Sequence, residues 1–501
     1  MQSLAFAHEG NLGIHCLGGA CFNYLPIAGD EVLVKSIYVI ILVSVMLFAG
    51  EGSSFALEYA IVPVHPIMIM PFALLLLAIA LIPFISSRWW EHRYPYVALS
   101  LGAIPIAYYY FILDNGTRML ATGMEYVSFI ALIGSLFVVS GGIHIRIRGR
   151  STPFANVALL GIGAVISNLL GTTGASMILI RPYIRVNKYR ISGYHIVFFI
   201  FIISNIGGLL TPIGDPPLFL GYLKGVPFFW VIGRTWMIWL FAIGAVLLIF
   251  YLIDRHNYRK LPDEMEHEIE IEGEHALVEG LHNIVFLLII VGAVFLHEPF
   301  REIVMAAAAT ASYFTTKREV HERNEFNFVP IMEVAILFAG IFATMVPALD
   351  WLELNAGRLG ITTPSYFYWC SGILSSFLDN APTYLNFLSA SFGLHGLSVD
   401  NPMHMKAMLG ALTDTDLHHL QILPSAVQPL AADSWRYIQA ISAGSVLFGA
   451  MTYIGNGPNF MVKSIAEHAG VKTPSFIEYM VKYSLPILVP VFALIWWIFF
   501  R

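Results

Sequence analysis

Two carboxylates stand where a carboxylate is costly. Asp215 lies in Thr211-Pro-Ile-Gly-Asp-Pro-Pro-Leu-Phe219 and Asp379 in Leu378-Asp-Asn-Ala-Pro-Thr383, each within a long apolar stretch. An ionised side chain in such a place costs about 2.5–3.5 kcal/mol on insertion scales. One chemistry repays that cost: a carboxylate beside unwound backbone carbonyls makes an oxygen site for a hard cation such as sodium, and a proton competes for the same oxygens. The same breaks carry neutral oxygens. Ser167, Asn168, Thr172, Thr173, Asn205 and Thr211 surround the first, and Asn380, Thr383, Thr452, Asn456 and Asn459 surround the second. These residues are candidates to bind an ion or substrate. The competing reading is local: Asp caps the half-helix that follows it, and Asn or Thr bonds neighbouring helices. Glu333, three residues after Pro330 in an apolar segment, is a third candidate carboxylate and a candidate proton relay.

The phrase around Asp215 recurs. Thr452-Tyr-Ile-Gly-Asn-Gly-Pro-Asn-Phe460 repeats its pattern, and Ile166–Ala175 aligns with Leu374–Thr383. Gly and Pro inside an apolar segment force the backbone out of the helical ladder. Paired interruptions of this kind in two halves of a chain mark a binding site near the bilayer midplane in many carriers.

The elements that must position these residues are membrane helices. The chain has 501 residues, 57% hydrophobic and 12% charged, with mean hydropathy +0.72, far from the composition of soluble domains. Crossing about 30 Å of hydrocarbon takes roughly 20 apolar residues. That criterion selects 31–50, 66–86, 94–114, 123–145, 193–220, 228–252, 280–297, 302–316, 326–349, 435–463 and 480–500. Segments 154–181 and 364–392 are split at Gly171-Thr-Thr-Gly174 and Asp379-Asn-Ala-Pro382, and each reads as a re-entrant hairpin. The basic clusters near residues 88–93, 146–150, 181–190, 255–260 and 317–323 fall on one side of the membrane only with that hairpin parity. The expected fold is an all-α polytopic membrane protein built from two inverted repeats of helix, hairpin, broken helix, helix. Residues 1–93 supply an N-terminal segment and two scaffold helices, and 94–260 the first repeat, with hairpin 154–181 and broken helix 193–220. Residues 261–279 form an acidic, solvated cytoplasmic linker. Residues 280–501 are the second repeat, with hairpin 364–392 and broken helix 435–463.

Several functions are excluded. A net charge of −6 gives no basic footprint for nucleic acid. There is no ATP-binding P-loop, nucleophile elbow or HExxH zinc motif, so neither an enzyme nor an ATP-driven pump is expected. The implied partners are membrane lipid and inorganic cations or a small anionic solute. No cofactor is expected beyond Na+ and H+ as coupling ions. The composition fits the plasma membrane of a bacterium.

Ser204-Asn-Ile-Gly-Gly208 leading into Thr211-Pro-Ile-Gly-Asp215, with Leu378-Asp-Asn-Ala-Pro-Thr383, resembles the ion transporter superfamily. The resemblance is nearest to the NhaD-type sodium/proton antiporters and their arsenite-pump and citrate-carrier relatives, and covers roughly 94–500. It implies an inverted-repeat carrier, a homodimer, with ion contacts at Asp215, Asp379 and Asn380. The chain departs from the antiporters at Asp215-Pro-Pro217, and Gly455-Asn-Gly-Pro-Asn459 is nearer to citrate carriers. The leading expectation is sodium/proton antiport by alternating access. The alternative is sodium- or proton-coupled carriage of citrate or another carboxylate, in which bound sodium would offset the repulsion between substrate and aspartates.

Overall fold

The computed structural model describes residues 61–148, 151–260, 275–412 and 433–501. The expected crossing at 31–50, most of the acidic linker and part of the loop 393–434 lie outside them.

The described residues are almost wholly helical. Seven helices are long and apolar enough to cross a membrane: Pro66–Pro83, Gly116–Gly141, Pro153–Val186, Gly193–Leu210, Phe228–Tyr258, Val329–Arg358 and Phe476–Phe499. Leucines and aromatics such as Leu74, Leu77, Phe154, Trp236 and Leu240 remain exposed on them, as lipid-facing side chains must. This is an integral, polytopic membrane protein. Segments 66–86 and 94–114 fall in one helical run, α1 (Met70–Phe111), which is two helices joined at a kink where Ser86 leaves helical geometry. Two sequence expectations need correcting. Segments 280–297 and 302–316 give only the shorter helices α7 (Asn283–Ala293) and α8 (Phe300–Thr315), the second carrying a buried Arg301–Glu302 pair. The end of the acidic linker is not free in solvent: His275–Glu279 (β2) pairs antiparallel with His144–Arg148 (β1), His144 opposite Glu279. Glu279 also accepts from Arg323 at 2.6 Å.

Helix α2 (Gly116–Gly141) precedes β1, and helix α3 (Pro153–Val186) follows it. In α3 the chain reverses at Gly171, whose φ of +73° is open to glycine. Asn156 and Asn187 are 31 residues apart yet exchange hydrogen bonds of 2.8 and 2.9 Å. A straight helix would separate them by about 46 Å, so α3 is a hairpin. Asp254 on α6 (Phe228–Tyr258) closes the foot of this hairpin, accepting from Asn156, Tyr194 and Arg190. The second hairpin is α11 (Pro364–Ser375) and α12 (Asn380–Leu394), whose arms bring Phe367 and Phe387 within 6.1 Å.

The interrupted helices follow one plan. Helix α4 (Gly193–Ile202) runs into a 3-10 turn at Ile206–Leu210, then extended backbone, then α5 (Pro216–Leu223). Helix α14 (Trp435–Phe448) runs into a 3-10 turn at Gly449–Met451, then α15 (Gly457–His468). Thr211 and Thr452 are both extended, and Asp215 and Asn456 are both extended N-caps. Each threonine hydroxyl accepts from the glycine three residues on, at 3.0 Å from Gly214 and 3.1 Å from Gly455. The hairpins pack on these interrupted helices. Helices α1, α2, α8 and α10 (Val329–Asn355) pack on one another, α10 also on the hairpin arm α12 and α2 on α3. Helix α9 (Arg318–Arg323) follows α8, and α13 (Pro402–Met408) follows α12. The last span, α16 (Phe476–Phe499), contains a π-type stretch at Tyr479–Leu488.

Candidate functional site

Asp215 is where both hairpins and both interrupted helices meet. Its Oδ1 accepts from Thr172 Oγ1 at 2.7 Å and from Asn456 Nδ2 at 3.0 Å; its Oδ2 accepts from Asn380 Nδ2 at 2.5 Å. Thr172 and Asn380 hold the same position in the two hairpins. Asp215 and Asn456 hold the same position in the two breaks, 241 residues apart. Each of these residues begins or caps a half-helix: the second arm of α3, α12, α15, and α5 itself. A helix N-terminus carries roughly +0.5 of a charge, so four of them converge on one buried carboxylate. Charge-assisted hydrogen bonds contribute about 1.5–3 kcal/mol each. Three of them are enough to offset the insertion cost of an ionised group in this setting.

Glycines let the backbones come close enough. A Cβ at Gly214 would lie 2.2 Å from Gly208 O, and one at Gly455 2.6 Å from Gly449 O. The hairpin tip is pinned to the break by Thr172 N donating to Gly214 O at 2.8 Å. Thr211 Oγ1 donates to Asn168 O at 2.7 Å, and Leu210 N to Asn168 Oδ1 at 3.0 Å. In the second half Thr452 Oγ1 donates to Ser376 O at 2.5 Å.

The candidate residues therefore fall into groups. Thr172, Asn380 and Asn456 contact Asp215 directly. Thr173 helps line a cavity of about 30 Å³ between α2, the tip of the first hairpin and the first break, which Leu136, Gly171, Thr172, Asp215 and Phe219 also border. Asn168, Thr211 and Thr452 hold hairpins to breaks. Asn459 donates to Gly449 O and Thr452 O, and Thr383 Oγ1 donates to Asp379 O. Asp379 is half-buried, and its Oδ1 accepts from Ala381 N at 3.0 Å as the N-cap of α12. Glu333 is half-buried on α10 and makes no hydrogen bond to the site among the described residues.

Asn205 is singular. Its Nδ2 donates to Ile200 O at 2.8 Å and Asn459 Oδ1 at 2.7 Å, which fixes the amide and turns its Oδ1 the other way. Among the described residues that buried oxygen has no donor, and neither has Asn380 Oδ1. Gly449 keeps the space beside them open, since a Cβ there would lie 2.9 Å from Asn205 Oδ1 and 3.6 Å from Asn380 Nδ2. A buried carboxylate with unsatisfied carbonyl oxygens nearby is a donor set for a hard cation.

Sequence reasoning missed a second group of buried charges. Arg118 and Asp350 are fully buried and paired at 2.9 Å. Lys224, at the C-terminal end of α5, bridges Glu125 at 2.6 Å and Asp400 at 2.5 Å. A polar residue near a helix end reads as a surface residue, and four separate elements contribute to this cluster. Only the absence of any apolar reason for Arg118 inside α2 could have hinted at it.

Helical spans that fold back and break around one buried acidic group define a secondary transporter of ions or small solutes. Residues 62–500 match the family described as "Putative citrate transport". The chain belongs to that family. Comparison with curated proteins returned no match.

Proposed function

We propose that this protein is a cation-coupled carrier whose coupling site is Asp215, and that it exchanges sodium for protons by alternating access. The observation that carries the reading is the pair of donor-less buried oxygens, Asn205 Oδ1 and Asn380 Oδ1, next to a carboxylate. Sodium satisfies those oxygens and the carboxylate together. A proton satisfies the carboxylate alone, so the two ions exclude each other. A cavity of about 30 Å³ borders Asp215 together with Thr172 and Thr173, though neither Asn205 nor Asn380 lines it, and it has room for one or two water-sized guests. The matching conformations of the two breaks support an inverted repeat, with hairpins and interrupted helices moving against α1, α2, α8 and α10. By resemblance the carrier is a homodimer with Asp379 a further ion contact; its composition fits a bacterial plasma membrane, and Glu333, half-buried on α10, is the proton relay.

A second reading has support of its own. Family membership and four converging half-helix N-termini favour negative charge beyond that of Asp215. They fit sodium- or proton-coupled carriage of citrate or another carboxylate. Purified protein in liposomes, given sodium, lithium, potassium and labelled citrate side by side, separates the two. Sodium alone dissipating an imposed pH gradient, with the response lost in Asp215→Asn, supports exchange. Sodium-driven citrate accumulation without sodium-only proton movement supports the second reading. An intact response in both Asp215→Asn and Asp379→Asn rejects the site.

A further inference from the structure

Lys224 connects the candidate site to the surrounding helices. It ends α5, the eight-residue half-helix that Asp215 caps at its other end, so the two Cα atoms sit about 13 Å apart along one rigid strut. Its ammonium donates to Glu125 on α2 at 2.6 Å and to Asp400, in the turn between α12 and α13, at 2.5 Å. Asp400 in turn lies 3.5 Å from Arg118 of α2, and Arg118 donates to Asp350 of α10, which also accepts from Tyr109 of α1 at 2.6 Å. One continuous line of charge thus runs from the interrupted helix and the second hairpin to α1, α2 and α10. It crosses between the two packing groups at Lys224–Glu125 and Asp400–Arg118. Lys224 and Arg118 are almost wholly buried, whereas Glu125 and Asp400 are 18% and 13% exposed. The line is therefore partly exposed at the crossing points. Arg118 begins the 26-residue α2 and β1 follows its other end. The cluster accordingly sits at the end of the molecule away from the basic loop 144–148.

We infer that these two crossing ion pairs are an electrostatic tether that holds the interrupted-helix module in the conformation seen here and opens each time the site changes the face it serves. The inference rests on the alternating-access reading above. Within either packing group the charges move together. Across the boundary they must part whenever the groups shift, because ion pairs at 2.6 and 3.5 Å do not survive a displacement of several ångströms. Glu125 is one of the anchors of Lys224, so its neutralisation loosens the tether while Asp400 keeps the lysine paired.

The test uses the full chain with Glu125→Gln and, as the conservative control, Lys224→Arg. Hydrogen exchange in detergent is followed at residues 216–224 and 395–401, and sodium-driven proton flux in liposomes. Glu125→Gln is expected to exchange at least tenfold faster in both segments and to turn over at least threefold faster, with its half-saturating sodium concentration within twofold of the parent. Lys224→Arg is expected to match the parent in both. Unchanged exchange overturns the tether, as does flux that stays level or falls. A parent protein without sodium-driven flux overturns the cation reading instead, and the exchange measurement still decides the tether.

Discussion

Replacing Asp215 separates stability from transport. In Asp215→Ala, Thr172 Oγ1 and Asn380 Nδ2 lose their acceptor and Asn456 Nδ2 loses one of two, keeping Ser204 O, at a site where Asp215, Asn380 and Thr172 are almost completely buried. A buried donor left unmade costs about 1–3 kcal/mol, so the first two alone cost at least about 2 kcal/mol unless water enters the space vacated. Asp215→Asn behaves differently. Its Oδ1 still accepts from Thr172 and Asn456, and the clash of its amide with Asn380 Nδ2 is relieved when Asn380 turns its donor-less Oδ1 inward. Asp215→Asn is therefore expected to keep the thermal midpoint of the parent within a degree or two, while Asp215→Ala falls by several degrees. Both are expected to lose sodium-driven proton flux by more than about a hundredfold, since neither can carry a charge or a proton there. Thermal unfolding followed by tryptophan fluorescence, with flux in liposomes from the same preparations, reads both quantities. If Asp215→Ala proves as stable as Asp215→Asn, the three bonds do not hold the site together, and the account of why the hairpins and breaks converge is refuted.

Three further outcomes follow from the same geometry. Gly449→Ala puts a methyl 2.9 Å from Asn205 Oδ1 and is expected to raise the half-saturating sodium concentration at least tenfold in a folded protein, as read by sodium-dependent flux. Gly214→Ala forces a Cβ to 2.2 Å from Gly208 O, a backbone atom that cannot give way. Its thermal midpoint is expected to drop by more than that of any surface glycine substitution, with overpacking costing about 1–3 kcal/mol or more. Arg118→Met leaves Asp350 buried beside the Tyr109 hydroxyl without its cation. Losing one partner of a buried pair costs about 3–5 kcal/mol. The double change Arg118→Met with Asp350→Leu is expected to recover much of that midpoint.

Chemistry along the chain determined the interruptions. Gly171 needs a positive φ, Pro212 and Pro216 cannot continue a helical ladder, and an apolar run split by Asp379-Asn-Ala-Pro382 cannot cross a bilayer in one pass. These are local constraints, so the repeated phrase, the hairpins and the acidic residue at the first break were legible from residue order alone. Which oxygen faces which was not. Asp215 and Asp379 both read as carboxylates at a break, yet one gathers donors from three half-helices and the other caps its own helix. Asn456 stands in the second break where Asp215 stands in the first, and the two meet at 3.0 Å. The tether from Lys224 to Tyr109 likewise joins residues from separate elements, with no period or spacing to link them. Segment 275–279 becomes a strand only because His144–Arg148 lies beside it to accept its hydrogen bonds. Interruption is a property of the backbone at one place in the chain. Coordination and charge pairing depend on distances that exist only once the helices are packed.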